Sequence, residues 1–352
     1  MKLEMLAPAG EGRRSWIARA PFSPDIQHAL ERIFENVFCS AARFADANPG
    51  EAAHAYVVAV EDDIRLVIMF TKQGTAVKVL NEIFSLSGED LACFARDVFQ
   101  YFKDVDLVYL PAVSIGDTGL PYPFQRFNAT EDLVAPLPET AEHYWSMLSR
   151  NTKESIRRYR KRIAQQFPEI KFDFYEGDRV SLAQIRSIVD LSSARIELKR
   201  ETPNHSEQSI AQLARLVGRY GVTLIASLHG KICGGVICTR IGGNFFMHVI
   251  AHDPALDALR LGKVCCYLSI CDAIGRGGRE YHMLSGQYDY KFRFMGQQRD
   301  YDRITLYRSY RSMLAHWPRY VLNGVRGEGR MIKKIIKTWR RKWSRLQTGG
   351  AG

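Results

Sequence analysis

The chain has 352 residues, a length typical of about two domains, and its 46% hydrophobic and 25% charged residues exclude a disordered or fibrous protein. Its net charge of +11 is concentrated in two basic strips, residues 150–162 with a net charge of +6 and residues 326–352 with a net charge of +8, and the remainder carries −3. A protein that coats nucleic acid has basic residues on many elements, so this distribution argues against a nucleic-acid partner.

The N-terminus and the cysteines indicate the compartment. Gly10, Glu11 and Gly12 interrupt the position where a signal peptide needs an apolar segment, and no run reaches the ~18 apolar residues that span a bilayer. The seven cysteines lack the spacing of a disulfide framework or a metal site, so they predict buried thiols in a reducing compartment. We therefore expect a cytoplasmic protein without a metal.

Hydrophobic periodicity predicts the elements of the N-terminal half. Apolar residues at helical spacing predict a helix over residues 25–45. Three strand-like runs follow, separated by short turns, at 55–60, 65–71 and 76–80. A helix over 89–102 and a buried strand over 107–110 come next. Five prolines among residues 111–138 predict a linker.

The C-terminal half has a clearer pattern. Asn151 and Glu154 have the spacing of a capping box, which predicts the start of a helix that carries the first basic strip. This strip is typical of a solvated helix face, and contact with an acidic or phosphorylated acceptor is the alternative. The elements predicted from residue 140 are, in order, helices over 140–149, 151–167, 182–191 and 207–217, strands over 222–228, 232–240 and 244–251, a helix over 261–274, a strand over 280–284 and a helix from Asp289.

An anion-binding site is predicted where the third strand of this meander leads into the next helix. The turn contains Arg260, Leu261, Gly262 and Lys263. A helix N-terminus offers unpaired backbone N–H groups and a positive dipole end, glycine allows close approach of the backbone, and the two basic side chains add charge. An ordinary helix start is the alternative.

Several segments in a fixed order point to a family. They are residues 148–153 and 156–161, Arg195, residues 224–226, 230–231 and 234–235, Asp253–Pro254 with Gly262, and residues 289–294. Together they resemble the GNAT-type acyltransferase domain of the CelD/BcsL family, which is associated with cellulose and exopolysaccharide biosynthesis. The last segment is similar to the family's Tyr-Lys signature. Leu259 departs from the Arg or Gln that GNAT enzymes commonly place three residues before this glycine.

The resemblance implies an α/β (α+β) fold of tandem GNAT-like domains, with mixed and mostly antiparallel sheets flanked by helices, and an acyl-CoA donor, usually acetyl-CoA. We therefore predict a degenerate GNAT-like domain over 1–135, an acyltransferase domain over 136–312 and a basic tail over 313–352. The expected reaction transfers an acyl group to an amine or hydroxyl of a small molecule or glycan precursor, in cell-surface polysaccharide or related biosynthesis.

Acyl transfer needs a base, oxyanion donors and an acid for the leaving thiolate. His248 or His252 is the candidate base, although a hydrogen-bonded histidine on a half-buried strand is the alternative for His248. The resemblance places the third meander strand beside the thioester, so the backbone N–H groups near Val249, Ile250 and Ala251 are the candidate oxyanion donors and donor-binding positions.

Tyr288 and Tyr290 are the candidate acids, with packing of the two aromatic rings as the alternative. Lys291 is a further candidate for the catalytic site or for a phosphate, and a solvated helix face is its alternative. The residues predicted to bind substrate are Arg157, Arg195, Glu197, Asp289 and Arg293.

The tail predicts a basic amphipathic helix. Its apolar residues recur at steps of three and four and are Ile332, Ile336, Trp339, Trp343 and Leu346. Such a helix suits an anionic membrane surface, which predicts a peripheral position on the inner face of the membrane through residues 326–346. A helix packed on the body is the alternative, and the interleaved Trp and Arg residues also suit RNA.

Two other functions stay open. Fem-type aminoacyl-tRNA-dependent transferases share tandem GNAT-like domains and a similar lysine-containing segment, but they usually insert a long coiled-coil arm that this sequence lacks. A catalytically inactive GNAT-like scaffold would bind partners and no acyl-CoA.

Overall fold

The computed structural model describes residues 4–6, 12–45, 53–116, 119–198, 206–318, 320–321 and 324. The tail helix predicted over 326–346 lies outside these residues. Among the helices in the described ranges, none has the length and apolarity required to cross a membrane.

Groups of strands alternate with groups of helices along the chain. The strands are β1 (Glu4–Leu6), β2 (Arg13–Arg19), β3 (His54–Val60), β4 (Asp63–Gln73), β5 (Ala76–Val79), β6 (Glu82–Leu86), β7 (Leu107–Ile115), β8 (Phe124–Pro136), β9 (Lys171–Glu176), β10 (Gly221–Leu228), β11 (Lys231–Ile241), β12 (Asn244–His252), β13 (Glu280–His282) and β14 (Gln297–Tyr307). The α-helices are α1 (Pro24–Phe34), α2 (Ala41–Ala45), α3 (Gly88–Tyr101), α4 (Ala141–Met147), α5 (Arg150–Gln166), α6 (Leu182–Leu198), α7 (Glu207–Tyr220), α8 (Leu261–Gly275), α9 (Asp289–Arg293) and α10 (Tyr310–Ala315).

The chain forms two compact units that are interleaved in sequence. One comprises Met1–Ile26, Gly50–Thr130 and Asp300–Gly352, and the other comprises Gln27–Pro49 and Glu131–Arg299. The sequence predicted contiguous domains, whereas here a segment from near the N-terminus belongs to the second unit and the last strand belongs to the first.

The first unit contains a mixed sheet with the strand order β1-β2-β3-β4-β5-β7-β14, and β6 also pairs with β7. Strands β3 and β4 are apolar over most of their length because both of their faces are buried, as in Val57 opposite Val67. Helix α3 begins after Ser87, whose side chain accepts a hydrogen bond from the backbone N–H of Asp90. Its Leu91, Phe94 and Val98 are fully buried.

The second unit contains a mixed sheet with the strand order β8-β13-β12-β11-β10-β9. Consecutive residues of a strand point to opposite faces, so Leu224 packs in a core with α4, α5 and α8, whereas Ile225 packs in a core with α6 and α7. The segment that includes α2 belongs to this unit, where Phe38 packs edge-on against Phe246 with the ring centroids 6.0 Å apart.

Both units share one order of elements. In the first, the antiparallel strands β3, β4 and β5 are followed by α3 and by β7, which pairs in parallel with β5. In the second, β10, β11 and β12 are followed by α8 and by β13, which pairs in parallel with β12. The predicted mixed α/β fold, with sheets flanked by helices, is confirmed.

Three local predictions were wrong. Residues 111–138 are not a linker, because β7 continues to Ile115 and β8 occupies most of the remainder. Helix α5 is capped by Ser149, which accepts from the N–H of Thr152, so Asn151 is already inside the helix. The helix predicted over 25–45 is α1, a short 3-10 turn over Val37–Cys39 and α2, because Asn36 adopts an extended conformation and caps that turn.

Candidate active site

The candidate site lies where β12 and β13 separate. The two strands pair only at Asn244–Phe246 with Glu280–His282; β12 then continues to His252, whereas β13 ends. A cavity of about 520 Å³ opens between the free part of β12 and the chain after β13. Along this free part, alternate backbone N–H and C=O groups of β12 face away from β11 and toward the space that β13 has left.

His248 stands at a β-bulge. Ile237 of β11 pairs with Val249 and Cys238 pairs with Met247, so His248 is the extra residue of β12. A bulge re-aims the side chain that it contains, and His248 lines the cavity. Its Nε2 shares a 2.9 Å hydrogen bond with Oγ1 of Thr239. Burial, assisted by the positive charge of Arg43, lowers the pKa of His248 to about 4.

This pKa predicts a pH profile for the acyl transfer that the sequence analysis expects. If His248 is the base, it is already neutral at pH 6, so kcat should be independent of pH between about pH 5.5 and 8 and should fall only near pH 4. His248→Ala should lower kcat by about 100-fold and remove this acid limb. Steady-state rates between pH 4 and 8, with circular dichroism at each pH to confirm folding, measure both. An acid limb that persists in His248→Ala excludes His248 as the base.

A second histidine of the cavity is paired with a carboxylate. His252 Nε2 lies 3.1 Å from Oδ1 of Asp257, and Asp257 also binds the guanidinium of Arg260 at 3.1 Å. The His252 side chain is 6% exposed, and its Nδ1 has no hydrogen-bond partner among the described residues. Burial lowers the pKa of His252 and outweighs the opposing effect of Asp257, so the ring is held neutral and oriented.

Gly262 allows the next helix to approach this ring. A Cβ atom at position 262 would lie 2.9 Å from Nδ1 of His252, closer than real side chains come, so only glycine fits without movement of the ring. Arg260, in the left-handed conformation at φ +47°, is the residue before α8 and provides no side-chain cap. The N–H of Lys263 donates to the carbonyl oxygen of Arg260, and the Arg260 side chain caps none of the N–H groups in the first turn of α8.

Basic side chains surround this helix terminus. Lys263 Nζ donates to Oγ of Ser155 on α5 at 2.9 Å. Burial and the nearby positive charge of Arg293 lower the pKa of Lys263. Arg158 of the first basic strip donates to the hydroxyl of Tyr159, which lines the cavity. This end of the cavity is suited to an anion such as a diphosphate.

The segment of the cavity wall that follows β13 carries the two candidate acids. Tyr288 and Tyr290 both line the cavity, with their rings stacked and the centroids 6.2 Å apart. Tyr288 is 50% exposed, whereas Tyr290 packs against the core. Burial raises the pKa of Tyr290, so its hydroxyl keeps its proton at neutral pH.

Lys291 is buried in the cavity wall and does not lie on the solvated helix face that was its alternative. It is 3% exposed, and its ammonium donates to the carbonyl oxygens of Met283, Leu284 and Ser285 at 2.6, 2.9 and 2.6 Å. The charge is thus engaged by the backbone of the cavity wall and is not on a solvated helix face. Lys291 positions the segment that follows β13.

The structure brings most of the predicted site residues together. Those that line the cavity are Arg195, His248, Val249, Ile250, His252, Arg260, Gly262, Lys263, Tyr288, Tyr290 and Lys291. Ala251 and Leu261 are fully buried. Glu197, Asp289 and Arg293 are exposed and are not among the lining residues. Arg157 lies elsewhere, with its guanidinium 5.2 Å from the ring centroid of Trp145.

The sequence analysis missed other residues of the cavity wall, which are Tyr159, Ser192, Ile196, Met247, Asp257 and residues 283–285. Asp257 could have been found from its spacing, five residues after His252, but the others carry no motif. Within the part of the chain that the structure describes, no cluster of three His, Cys, Asp or Glu residues suits a metal ion.

Residues 150–292 match the family model described as an acetyltransferase (GNAT) domain. No curated protein matches the chain significantly. The chain is similar in structure to FemX, with a TM-score of 0.60 and 8% identity over 81% of this chain and 96% of that one.

A conserved protein of unknown function from Bacteroides thetaiotaomicron has a TM-score of 0.53 and 13% identity over 83% of this chain and 100% of the other. L-PGS from Bacillus licheniformis has a TM-score of 0.51 and 12% identity over 83% and 93%. At these identities the likeness shows the fold alone. The sequence similarity to acetyltransferase (GNAT) domains covers residues 150–292, less than half of the chain.

Proposed function

We propose that the protein transfers an acyl group from acyl-CoA to an amine or hydroxyl acceptor. One observation carries this proposal. The edge of β12 beyond Phe246 is not paired with β13, and it lines the same cavity as the N-terminus of α8, which has no side-chain cap from Arg260. The helix terminus, with Arg260 and Lys263, suits the diphosphate of coenzyme A. The strand edge offers hydrogen bonds to the amide groups of its pantetheine arm.

The cavity also supplies the groups that acyl transfer needs. His248, neutral because of its low pKa, accepts the proton of the acceptor, and His252 is the second candidate for this role. Backbone N–H groups of residues 249–251 that face the cavity stabilise the oxyanion as the acceptor adds to the thioester carbonyl. Tyr290, which keeps its proton, donates it to the thiolate as the carbon–sulfur bond breaks.

Isothermal titration calorimetry with acetyl-CoA and longer acyl-CoAs tests the donor. We expect saturable binding that Lys263→Met weakens about tenfold, because the substitution removes a cation beside the α8 terminus. Lys161→Met is the matched control, since it removes the same charge from an exposed position of α5 outside the cavity. Equal weakening by both variants would assign the effect to net charge, and absence of binding to any acyl-CoA would exclude this donor.

A Fem-like transferase that uses aminoacyl-tRNA is the second candidate, because the likeness to FemX extends over 81% of the chain. Both donors are tested with the same protein preparation. Transfer from aminoacyl-tRNA together with no binding of acyl-CoA would favour the Fem-like function. Binding of neither donor would favour the catalytically inactive scaffold.

The acceptor and the cellular setting are finer proposals. The resemblance to the CelD/BcsL family favours a glycan precursor, and free-thiol release with a panel of sugar amines and hydroxyls tests it. The charge and apolar periodicity of residues 326–346 favour attachment to an anionic membrane surface. Vesicle co-sedimentation tests this attachment by comparing the full chain with a chain that ends at residue 325. Equal binding by the two chains, or binding by neither, would contradict it.

A further inference from the structure

An exposed apolar row follows β14 in the first unit. We name it the apolar row: Tyr310, Leu314, Trp317 and Val321, which are 70, 66, 62 and 50% exposed. Their spacing of four, three and four residues places them on one side of a helix. The helical bonding continues beyond α10, because His316 N–H donates to the carbonyl of Ser312 and Tyr320 N–H donates to that of His316.

The other side of this segment is fixed to its own unit by polar contacts. Ser309 caps α10 by accepting from the N–H of Ser312, whose hydroxyl lies 3.4 Å from Oδ1 of Asp106. Gln125 Nε2 donates to the carbonyl of Tyr320 at 2.9 Å. The segment is thus held in place while its large apolar side chains remain in solvent. Such contiguous exposure is unusual for a surface that only meets water.

The composition of the apolar row favours a lipid surface as its partner. Tryptophan and tyrosine are the residues that settle at the boundary between headgroups and acyl chains. Arg311 is exposed beside the row, and the chain continues directly into residues 326–352, which carry a net charge of +8. Basic residues near an anionic membrane are attracted to its surface charge. Four side chains are too few for the roughly 1,000 Å² that a stable protein interface buries.

We propose that the apolar row docks on an anionic lipid bilayer, with its four side chains inserted at the headgroup boundary and Arg311 facing the lipid charge. This site lies within the described residues of the first unit and is distinct from the predicted tail helix. The lipid proposal and the acyl-transfer proposal can fail separately, because vesicle binding and acyl-CoA binding are measured in separate experiments.

Co-sedimentation of the full chain with vesicles tests the proposal, using phosphatidylcholine alone and phosphatidylcholine mixed with phosphatidylglycerol. We expect binding to the anionic vesicles only. Leu314→Ser and Trp317→Ser should each weaken the partition coefficient by about tenfold, because each removes a large apolar side chain from the boundary. Leu182→Ser is the matched control, since Leu182 is 51% exposed in the second unit, and it should bind like the unchanged protein.

Three results would overturn the proposal. The first is no binding to either vesicle, and the second is equal binding by the Leu314, Trp317 and Leu182 variants, which would leave the tail as the whole lipid-binding element. The third is a concentration-dependent dimer, detected by light scattering without lipid, that Leu314→Ser abolishes; this would make a second copy of the chain the partner. Circular dichroism of each variant confirms that it is folded.

Discussion

Lys291→Met should lower the free energy of unfolding by roughly 3–5 kcal/mol, a large change for a single substitution. The substituted side chain has a similar length but cannot donate, so the carbonyls of Met283, Leu284 and Ser285 lose the ammonium that binds all three. Leu284 also has a positive φ of 55°, a conformation that a β-carbon disfavours and that the surrounding contacts must maintain. The midpoint of urea unfolding measures the loss.

Lys161→Met provides the control, because it deletes an equally charged side chain from an exposed helix position and should shift the midpoint little. The same Lys291 variant should bind acetyl-CoA more weakly even where it is folded, since the wall after β13 is no longer held. If Lys291→Met unfolds at the same urea concentration as the unchanged protein, water satisfies the three carbonyls and the lysine has no positioning role.

Tyr290→Phe should lower kcat by about 100-fold while KM for the donor changes little, as expected for an interaction that strengthens only as the thiolate leaves. Tyr290 lines the cavity together with residues of β12, and burial raises the pKa of Tyr290, so its hydroxyl carries its proton throughout the neutral range. Removing one oxygen leaves the packing of the ring intact. Release of free thiol under saturating donor measures the change in kcat.

Tyr288 is the competing candidate, and Tyr288→Phe is therefore measured in parallel. Its ring is half exposed, so solvent can replace its hydroxyl, and we expect a smaller loss than for Tyr290→Phe. A larger loss in Tyr288→Phe would assign the acid role to Tyr288. A rise in KM with little change in kcat in both variants would indicate that the stacked pair shapes the cavity without donating a proton.

Local pattern was sufficient to predict the strands of the meander and the place of the cavity beside α8. Glycine turns and alternating apolar residues placed β10, β11 and β12, and the order of strand, turn and basic helix start placed the cavity beside α8. The bulge at His248 was not predictable, because it depends on how two strands pair and not on the sequence of either.

Lys291 illustrates a second limit of prediction from the sequence. Its charge and its place in a short helix predicted contact with solvent or phosphate, but its side chain is turned inward by three carbonyls that belong to a neighbouring segment. The strand β8 was missed for a related reason. Its prolines lie at or beyond its ends, and the pairing of Val134 with His282 is a contact between residues far apart in the chain.

The interleaving of the two units has a consequence for synthesis of the protein. The first unit needs β14, whose residues from Asp300 onward emerge after the entire second unit, and the second unit needs Gln27–Pro49, which emerge before most of the first. The second unit cannot close before Arg299 has been made, and the first cannot close before β14 has followed it, so the sheet edges of the first unit stay incomplete for most of translation and are open to aggregation. For the same reason, a fragment cut at the ends of the family match would lack Phe38, which packs on Phe246.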